Sequence, residues 1–368
     1  MADVIVIGGG IAGISAAAEL EVAGADVTLL EAERQLAYHT TGRSAALYFE
    51  SYGHPTVRAL SRASRAYFED PPQGTVDAPI LSPRGALVVA PPDQTAALAA
   101  EITEARSHGT DIRELTPDEC TEIVPVLCTD LIAAASYEPG AADMDVAAIH
   151  QSFVRTFRRH GGEIVTTARV RDMERRGLGW TVRTENGDSY EAPIVVNAAG
   201  AWCDVVGTLA GANPIGLVPK RRTAFMVGAP PDSTHWPLTV DAHHTFYFKP
   251  DGPQLLCSPA DETPTEPQDA RPEDIDIALA IERINEMTTL GIRSVRSAWA
   301  GLRSFVADGG MVIGFDPDVD GFFWLAGQGG TGIQTSPAAG ALAADLVRGV
   351  PSRIGVDLAA FSPARLRG

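Results

Sequence analysis

Lysine is nearly missing from this chain. Of 368 residues only Lys220 and Lys249 are lysines, and the other basic residues are arginines. Acidic residues outnumber basic ones by 47 to 29, which leaves a net charge of −18. A protein that grips nucleic acid needs a basic stripe to neutralise phosphates, and this sequence has none. Cysteine is scarce too. Cys120, Cys128, Cys203 and Cys257 form no CxxC pair and no histidine-associated metal pattern. No metal site is expected, and the four read as reduced, mostly buried thiols of a cytoplasmic protein. Long apolar runs are absent as well: no segment reaches the roughly 18 residues that a membrane span requires. The opening MADVIVIGGG has neither the basic region nor the cleavage site of a signal peptide, so none is expected.

What is present is an ordinary core-forming composition, 45% hydrophobic and 21% charged, long enough for two domains or one large one. Its first forty residues hold a complete unit. Val4 to Ile7 is a short continuous apolar run, as a parallel strand buried on both faces requires. Gly8, Gly10 and Gly13 follow as G-x-G-x-x-G. The first permits a tight turn, the second lets a pyrophosphate approach the backbone, and the third lets helix pack close to strand. A helix from about Ile11 to Ala23 points its N-terminal amides at the phosphates. Val27 to Leu30 is the second strand, and Glu31 stands at its end, where a carboxylate binds ribose hydroxyls. The unit predicts dinucleotide binding. It leaves NAD and FAD both open, while the acid at 31 argues against a 2′-phosphate and so against NADP.

Further along, 143–162 predicts a helix with Asp145 as N-cap, an apolar stripe of Val146, Ile149, Phe153 and Phe157, and Gly161 at its end. His150 on it reads as structural. The segments GEIVTTARVRDMERR and GWTVRTENGDSYEA predict a meander of strands with Asn186-Gly187 as a hairpin turn. A buried strand from Ile194 to Val196 then leads into NAAG and Trp202. Antiparallel strands are expected across 219–259, joined by 85–90 and 135–138, and a helix at about 273–288. Near the C-terminus, Phe322 to Ala326 is a strand, followed by a glycine-rich loop and a helix to Val347. That helix start offers partial positive charge to a flat ligand crossing the loop.

Taken in order, IGGGIAG, YHTTGRSAALY, VPVL, VNAAGAWCD, PKRRTAF, FYFKP, WAGLRSFVADG and QGGTGIQTS resemble the FAD-dependent D-amino-acid oxidase superfamily, with the nearest likeness to bacterial D-arginine dehydrogenases. The resemblance implies a glutathione-reductase-type FAD-binding Rossmann domain, built from 1–80, 140–212 and 298–368. A second, antiparallel-sheet α+β substrate domain comes from 81–139 and 213–297. It selects FAD, held noncovalently, as the cofactor. Besides Gly8, Gly10, Gly13 and Glu31, it assigns Ile11, Ala12 and Ala32 to the dinucleotide site. Thr41, Gly42, Arg43, Ser44 and Ala45 would lie along the pyrophosphate and isoalloxazine. Val170 would touch the adenine half, with Gly200 and Trp202 nearby, and Gly330, Thr331, Gly332, Ile333 and Gln334 would meet the flavin edge.

The same resemblance places Arg222 and Arg303 on the carboxylate of an amino-acid substrate, because a guanidinium binds a carboxylate bidentately and keeps its proton. Tyr52 and Tyr247 would be accompanying phenols, and the Gly330 carbonyl would accept from the amine. Of the neighbours Arg221 and Arg222, alternation along a strand turns one away from the pocket, and Arg222 is the expected ligand. Leu47, Ala86 and Arg221 complete the expected pocket. Two positions depart from D-arginine dehydrogenases: Ala86 replaces a glutamate that holds the substrate guanidinium, and Leu47 replaces a histidine. Both remove polarity, so a neutral or apolar D-amino acid is expected rather than D-arginine. The expected reaction is oxidation of the CH–NH2 bond to an imino acid, then a 2-oxo acid and ammonia. Oxidation of glycine or sarcosine, dehydrogenation of a 2-hydroxy acid, and a non-catalytic flavin-binding role stand as alternatives. The electron acceptor stays open. Lys249 is either a group that promotes oxygen use or a solvated edge lysine.

Overall fold

A computed structural model describes residues 2–367, and the element counts given are of those residues. Val4–Ile7 lies inside a six-stranded sheet of order Val312–Phe315, Phe322–Ala326, Ile194–Asn197, Val4–Ile7, Val27–Leu30, Glu163–Val165. All these strands run parallel except Val312–Phe315, which closes one edge antiparallel. Every residue of Val4–Ile7 and Val27–Leu30 is buried. The alternating side chains explain this: Val4, Val6, Val27 and Leu29 pack on helices, whereas Ile5, Ile7 and Leu30 pack toward Met173, Trp180 and Val182. The helices are Ile11–Val22, Pro55–Glu69, Val146–Arg159 and Gly332–Val347. Two of them nearly touch, since a Cβ on Gly340 would sit 2.8 Å from the Ser15 carbonyl carbon. Val146–Arg159 is capped by Asp145, whose carboxylate accepts the Ala148 amide at 2.8 Å.

The meander needs one correction. Glu163–Val165 pairs parallel with Val27–Leu30 and so extends the main sheet. Val170–Arg176, Gly179–Thr184 and Ser189–Ala192 form the three-stranded antiparallel layer by themselves. The Val146–Arg159 helix returns the chain to the sheet edge before the meander begins, the usual demand of a parallel crossover.

A second sheet has nine strands. Its central run is Val218–Gly228, Gln254–Ser258, Tyr247–Asp251, Leu238–Asp241, Ala86–Ala90 and Ala134–Glu138. Leu238–Asp241 and Ala86–Ala90 pair in parallel, and the other pairs of this run are antiparallel. Ser297–Phe305 pairs along Val218–Gly228 from Phe305↔Val218 to Ser297↔Met226. That strand therefore belongs to the second sheet, although a boundary at 298 assigns it to the first part. One face packs Phe225, Phe248 and Leu255 on the helix Asp274–Met287, through Ala280 and Ile284. The opposite face carries Arg222, Ala224, Tyr247, Val240, Val88 and Ala86 toward the first sheet.

Candidate functional site

A cavity of about 490 Å³ runs from the C-terminal ends of the parallel strands to the inner face of the nine-stranded sheet. At its nucleotide end lie Gly8, Gly10, Ile11, Ala12, Glu31 and Ala32. Gly8 has φ +110°, and a Cβ there would collide with the Ala198 carbonyl oxygen, so no L side chain fits the turn. Gly13 does not line the cavity: a Cβ on it would collide with the Gly8 carbonyl oxygen, the close helix–strand approach its motif position requires. Thr41 Oγ1 accepts the Ile11 amide at 3.0 Å. The Ala12 amide has no acceptor among the described residues. The buried Glu31 carboxylate accepts from the Gly9 amide at 2.7 Å and the Glu33 amide at 2.8 Å. Each of its oxygens keeps a lone pair for another donor. Val170, Gly200 and Trp202 wall the same end, as do Tyr38 and His39, which sequence reasoning missed. His39 meets Trp202 at 4.7 Å between ring centroids, and the YHTTGR motif that holds it was the available signal. His150 is structural as expected: buried, it donates from Nε2 to the Gly9 carbonyl at 3.0 Å and steadies the glycine turn.

Arg43, Ser44 and Ala45 line the middle of the cavity. The Arg43 guanidinium turns outward: it pairs with Asp269 and donates to the Ala270 and Ala300 carbonyls at 3.0 and 3.1 Å. Gly42 does not line the cavity; its amide donates to the Ala37 carbonyl at 2.9 Å, and a Cβ on it would collide with that oxygen. Gly330, Gly332 and Ile333 close the cavity from the C-terminal loop. Thr331 and Gln334 do not line it. Thr331 bonds the Gln328 carbonyl, and Gln334 spends its amide on Phe49 and Ser61. Gln334 thus pins the 49–52 segment rather than a flavin edge, a correction of its expected role.

At the far end stand Arg222, Tyr247 and Arg303. Register explains the convergence. Lys220 opposes Arg303 and Arg222 opposes Gly301, so Arg222 and Arg303 share one face of paired strands. Arg222 Nε donates to the Asp261 carbonyl at 2.8 Å, and its NH2 reaches Glu262 at 3.1 Å. Burial, then the neighbouring Arg303 charge, lowers the Arg222 pKa. Burial opposes charge on Arg303, but its surroundings, Tyr52, Tyr247 and Glu262, outweigh it and raise its pKa. Arg303 donates to Tyr52 Oη at 3.5 Å. A Cβ on Gly330 would stand 2.6 Å from the Arg303 guanidinium carbon, so only glycine lets that group lie there.

Three expected pocket residues lie elsewhere. Arg221 faces the opposite side, paired with Glu273 and with Asp276 at 2.8 Å on the Asp274–Met287 helix. Leu47 pairs with Asp143 and packs beside Ala86 without lining either cavity. Ala86 and Tyr52 line a second cavity, of about 230 Å³. That space is not apolar: the register partner of Ala86 is Glu138, which lines it too. Loss of the carboxylate at 86 is thus matched by one on the adjacent strand, which single-chain spacing could not reveal. Lys249 is neither solvated nor in the main cavity. It is buried, with Nζ 2.6 Å from Asp143, which also pairs with Arg84.

These features fit FAD. The glycine turn and the Ala12 amide suit the pyrophosphate, and Glu31 retains acceptor capacity for ribose hydroxyls. Among the described residues no helix is long and apolar enough to cross a membrane, and no group of acidic, histidine or cysteine side chains could hold a metal. Residues 3–346 match the family described as FAD dependent oxidoreductase. The chain is 27% identical to rat (Rattus norvegicus) mitochondrial dimethylglycine dehydrogenase over 267 residues, 70% of this chain and 31% of that protein. It thus spans about a third of that relative's length. It is 28% identical over 262 residues to glycine oxidase of Geobacillus kaustophilus, 71% of this chain and 67% of that one. The crystal structure of that species' glycine oxidase superposes with a TM-score of 0.88 at 24% identity, covering 99% of this chain and 98% of the other. These relatives are dimethylglycine dehydrogenases and glycine oxidases, with glycerol-3-phosphate dehydrogenases beside them, so the expected nearest likeness to D-arginine dehydrogenases is not borne out. A match across nearly the whole chain, with a site that fits the cofactor, makes it a member of the FAD dependent oxidoreductase (DAO) family and an FAD-dependent enzyme.

Proposed function

We propose that the protein oxidises the Cα–N bond of a D-amino acid with a neutral side chain, giving an imino acid that water converts to a 2-oxo acid and ammonia. The observation that carries this reading is the pair of guanidiniums, Arg222 and Arg303, facing one cavity beside Tyr247. Two cations held in a buried site call for an anion, and a carboxylate meets a guanidinium fork with two parallel hydrogen bonds. FAD, when bound, supplies the two-electron acceptor for the hydride leaving Cα. The chain's part is orientation. Arg222 and Arg303 fix the carboxylate, Tyr52 and Tyr247 add phenolic donors, and the Gly330 carbonyl accepts an N–H of the amine. The neutral amine then provides the electron pair that forms the C=N bond as the hydride departs.

In this reading the parallel sheet and its helices hold the cofactor and the nine-stranded sheet holds the substrate, which follows the segments 1–80, 140–212 and 298–368 against 81–139 and 213–297 except that Ser297–Phe305, with Arg303, falls on the substrate side. The D configuration is supported by the sequence segments that resemble D-arginine dehydrogenases; Ala86 alone does not decide against D-arginine, because Glu138 lies beside it in the same cavity. The names of the relatives favour a second reading, oxidation of glycine or an N-substituted glycine. Anaerobic bleaching of the bound flavin separates them. D-alanine should bleach it faster than sarcosine, D-lactate or D-arginine. Faster bleaching by sarcosine would select the second reading, and D-arginine in first place would overturn the neutral side chain.

A further inference from the structure

The second cavity has a feature that the carboxylate clamp does not use. Its wall is the inner face of the nine-stranded sheet, where Tyr247, Val240, Val88, Ala86 and Glu138 follow one another through paired registers. Three strand spacings of about 4.8 Å put roughly 14 Å between the strands of Tyr247 and Glu138, and both side chains project from the same face. Tyr52 stands between the two cavities. It lines the second, while its hydroxyl accepts from Arg303, which lines the first. A substrate whose carboxylate sits on Arg222 and Arg303 has this space beyond Tyr52 for its side chain.

Within the cavity the other charges are already matched. Arg58 pairs with Glu104, and His244 Nε2 meets Glu101 at 2.9 Å. Two groups there keep a buried atom unpartnered among the described residues, Arg58 at Nε and Glu138 at Oε2. Glu138 is 4% exposed, and its Oε1 accepts the Glu50 amide at 3.0 Å. A buried polar atom left unpaired is costly, and a ligand that supplies the missing partner recovers that cost.

We infer that this cavity receives the substrate side chain, and that Glu138 selects one ending in an uncharged N–H or O–H donor, a carboxamide or a hydroxyl. The inference rests on the amino-acid reading of the main site and adds its side-chain class. Burial is the largest influence on the Glu138 pKa and pushes it up. A raised pKa favours the neutral carboxyl, which both donates and accepts and so complements a carboxamide in both directions.

The test compares D-glutamine with D-methionine, an unbranched apolar side chain of similar length, and with D-lysine, in the FAD-loaded full chain. The wild type should prefer D-glutamine over D-methionine by about tenfold in kcat/KM. In Glu138→Leu the ratio should fall to about one, and in Glu138→Gln, which still donates and accepts, it should stay within about threefold of wild type. A merely structural Glu138, holding the Glu50 amide, would change both substrates alike and leave the ratio untouched, which overturns the inference. So does a wild type that prefers D-methionine or D-lysine. If Glu138→Leu fails to fold, the wild-type ratio and Glu138→Gln decide. Failure of every amino acid, D-alanine included, to bleach the flavin sinks the parent reading. Bleaching by D-alanine without a D-glutamine preference sinks only the side-chain assignment.

Discussion

Arg221 and Arg222 differ by one position and by everything that matters at the site. Alternation along Val218–Gly228 sends Arg222 to the cavity and Arg221 to Glu273 and Asp276. That one of them turns away was legible from period two, that Arg222 is the one inside came from the resemblance, and the position of Arg303 opposite Lys220 needed the register. Arg222→Lys keeps the charge but loses the fork, so KM for the amino acid should rise about a hundredfold, equivalent to about 2–3 kcal/mol, with FAD content unchanged. Arg221→Ala should leave KM alone and lower stability by about 1 kcal/mol. Steady-state kinetics and urea unfolding of the two variants check both statements, and equal KM effects would mean that the carboxylate is held elsewhere. Gly330→Ala tests the same end from the opposite side. Its Cβ has no room beside the Arg303 guanidinium, so it should cut kcat/KM at least tenfold by displacing that group, without changing the secondary structure seen by circular dichroism.

The elements were read well where pattern and packing agree. The Val4–Ile7 strand, the glycine turn, the 146–159 helix with its Asp145 cap, and the Phe322–Ala326 strand with its glycine loop all carry strong local signals. Glu163–Val165 carried none. Three residues, none of them fully buried, look the same in a meander as at a sheet edge, and only the crossover helix before them decides. Glu138 was invisible for a related reason. A carboxylate in a strand reads as a solvent-facing residue until its partner strand places it beside Ala86. The contact between Ile11–Val22 and Gly332–Val347 offers a test at this scale. A side chain at Gly340 must push into the Ser15 backbone, and a tightly packed helix pair does not yield without cost. Gly340→Val should destabilise the protein by about 1–3 kcal/mol and weaken FAD binding through the two helix N-termini that frame the cavity. An unfolding midpoint equal to wild type would show that the helices can part.

At the scale of the whole molecule, the main cavity is lined from both large sheets, so the cofactor should couple them. FAD at a hundred times its dissociation constant should stabilise the native state by about 2.7 kcal/mol, and stripping it should lower the unfolding midpoint of both parts together. Arg43 gives this coupling a pH dependence. It lines the cavity, while its guanidinium fastens the 269–270 segment to the strand at Ala300 through Asp269, Ala270 and Ala300. The hydrogen bond from Arg43 holds the Asp269 pKa below its usual value. A carboxylate depressed on folding contributes stability above its unfolded pKa and loses it as pH falls through the folded one. FAD retention should therefore be flat from pH 7 down to about 4 and decline below that. Asp269→Asn should remove the acid-dependent part of the decline while leaving retention at pH 7 slightly weaker, since the exposed pair contributes little. Released flavin fluorescence measured along a pH series reads both. An unchanged acid profile in Asp269→Asn would place the pH-sensitive contact elsewhere in the cavity wall.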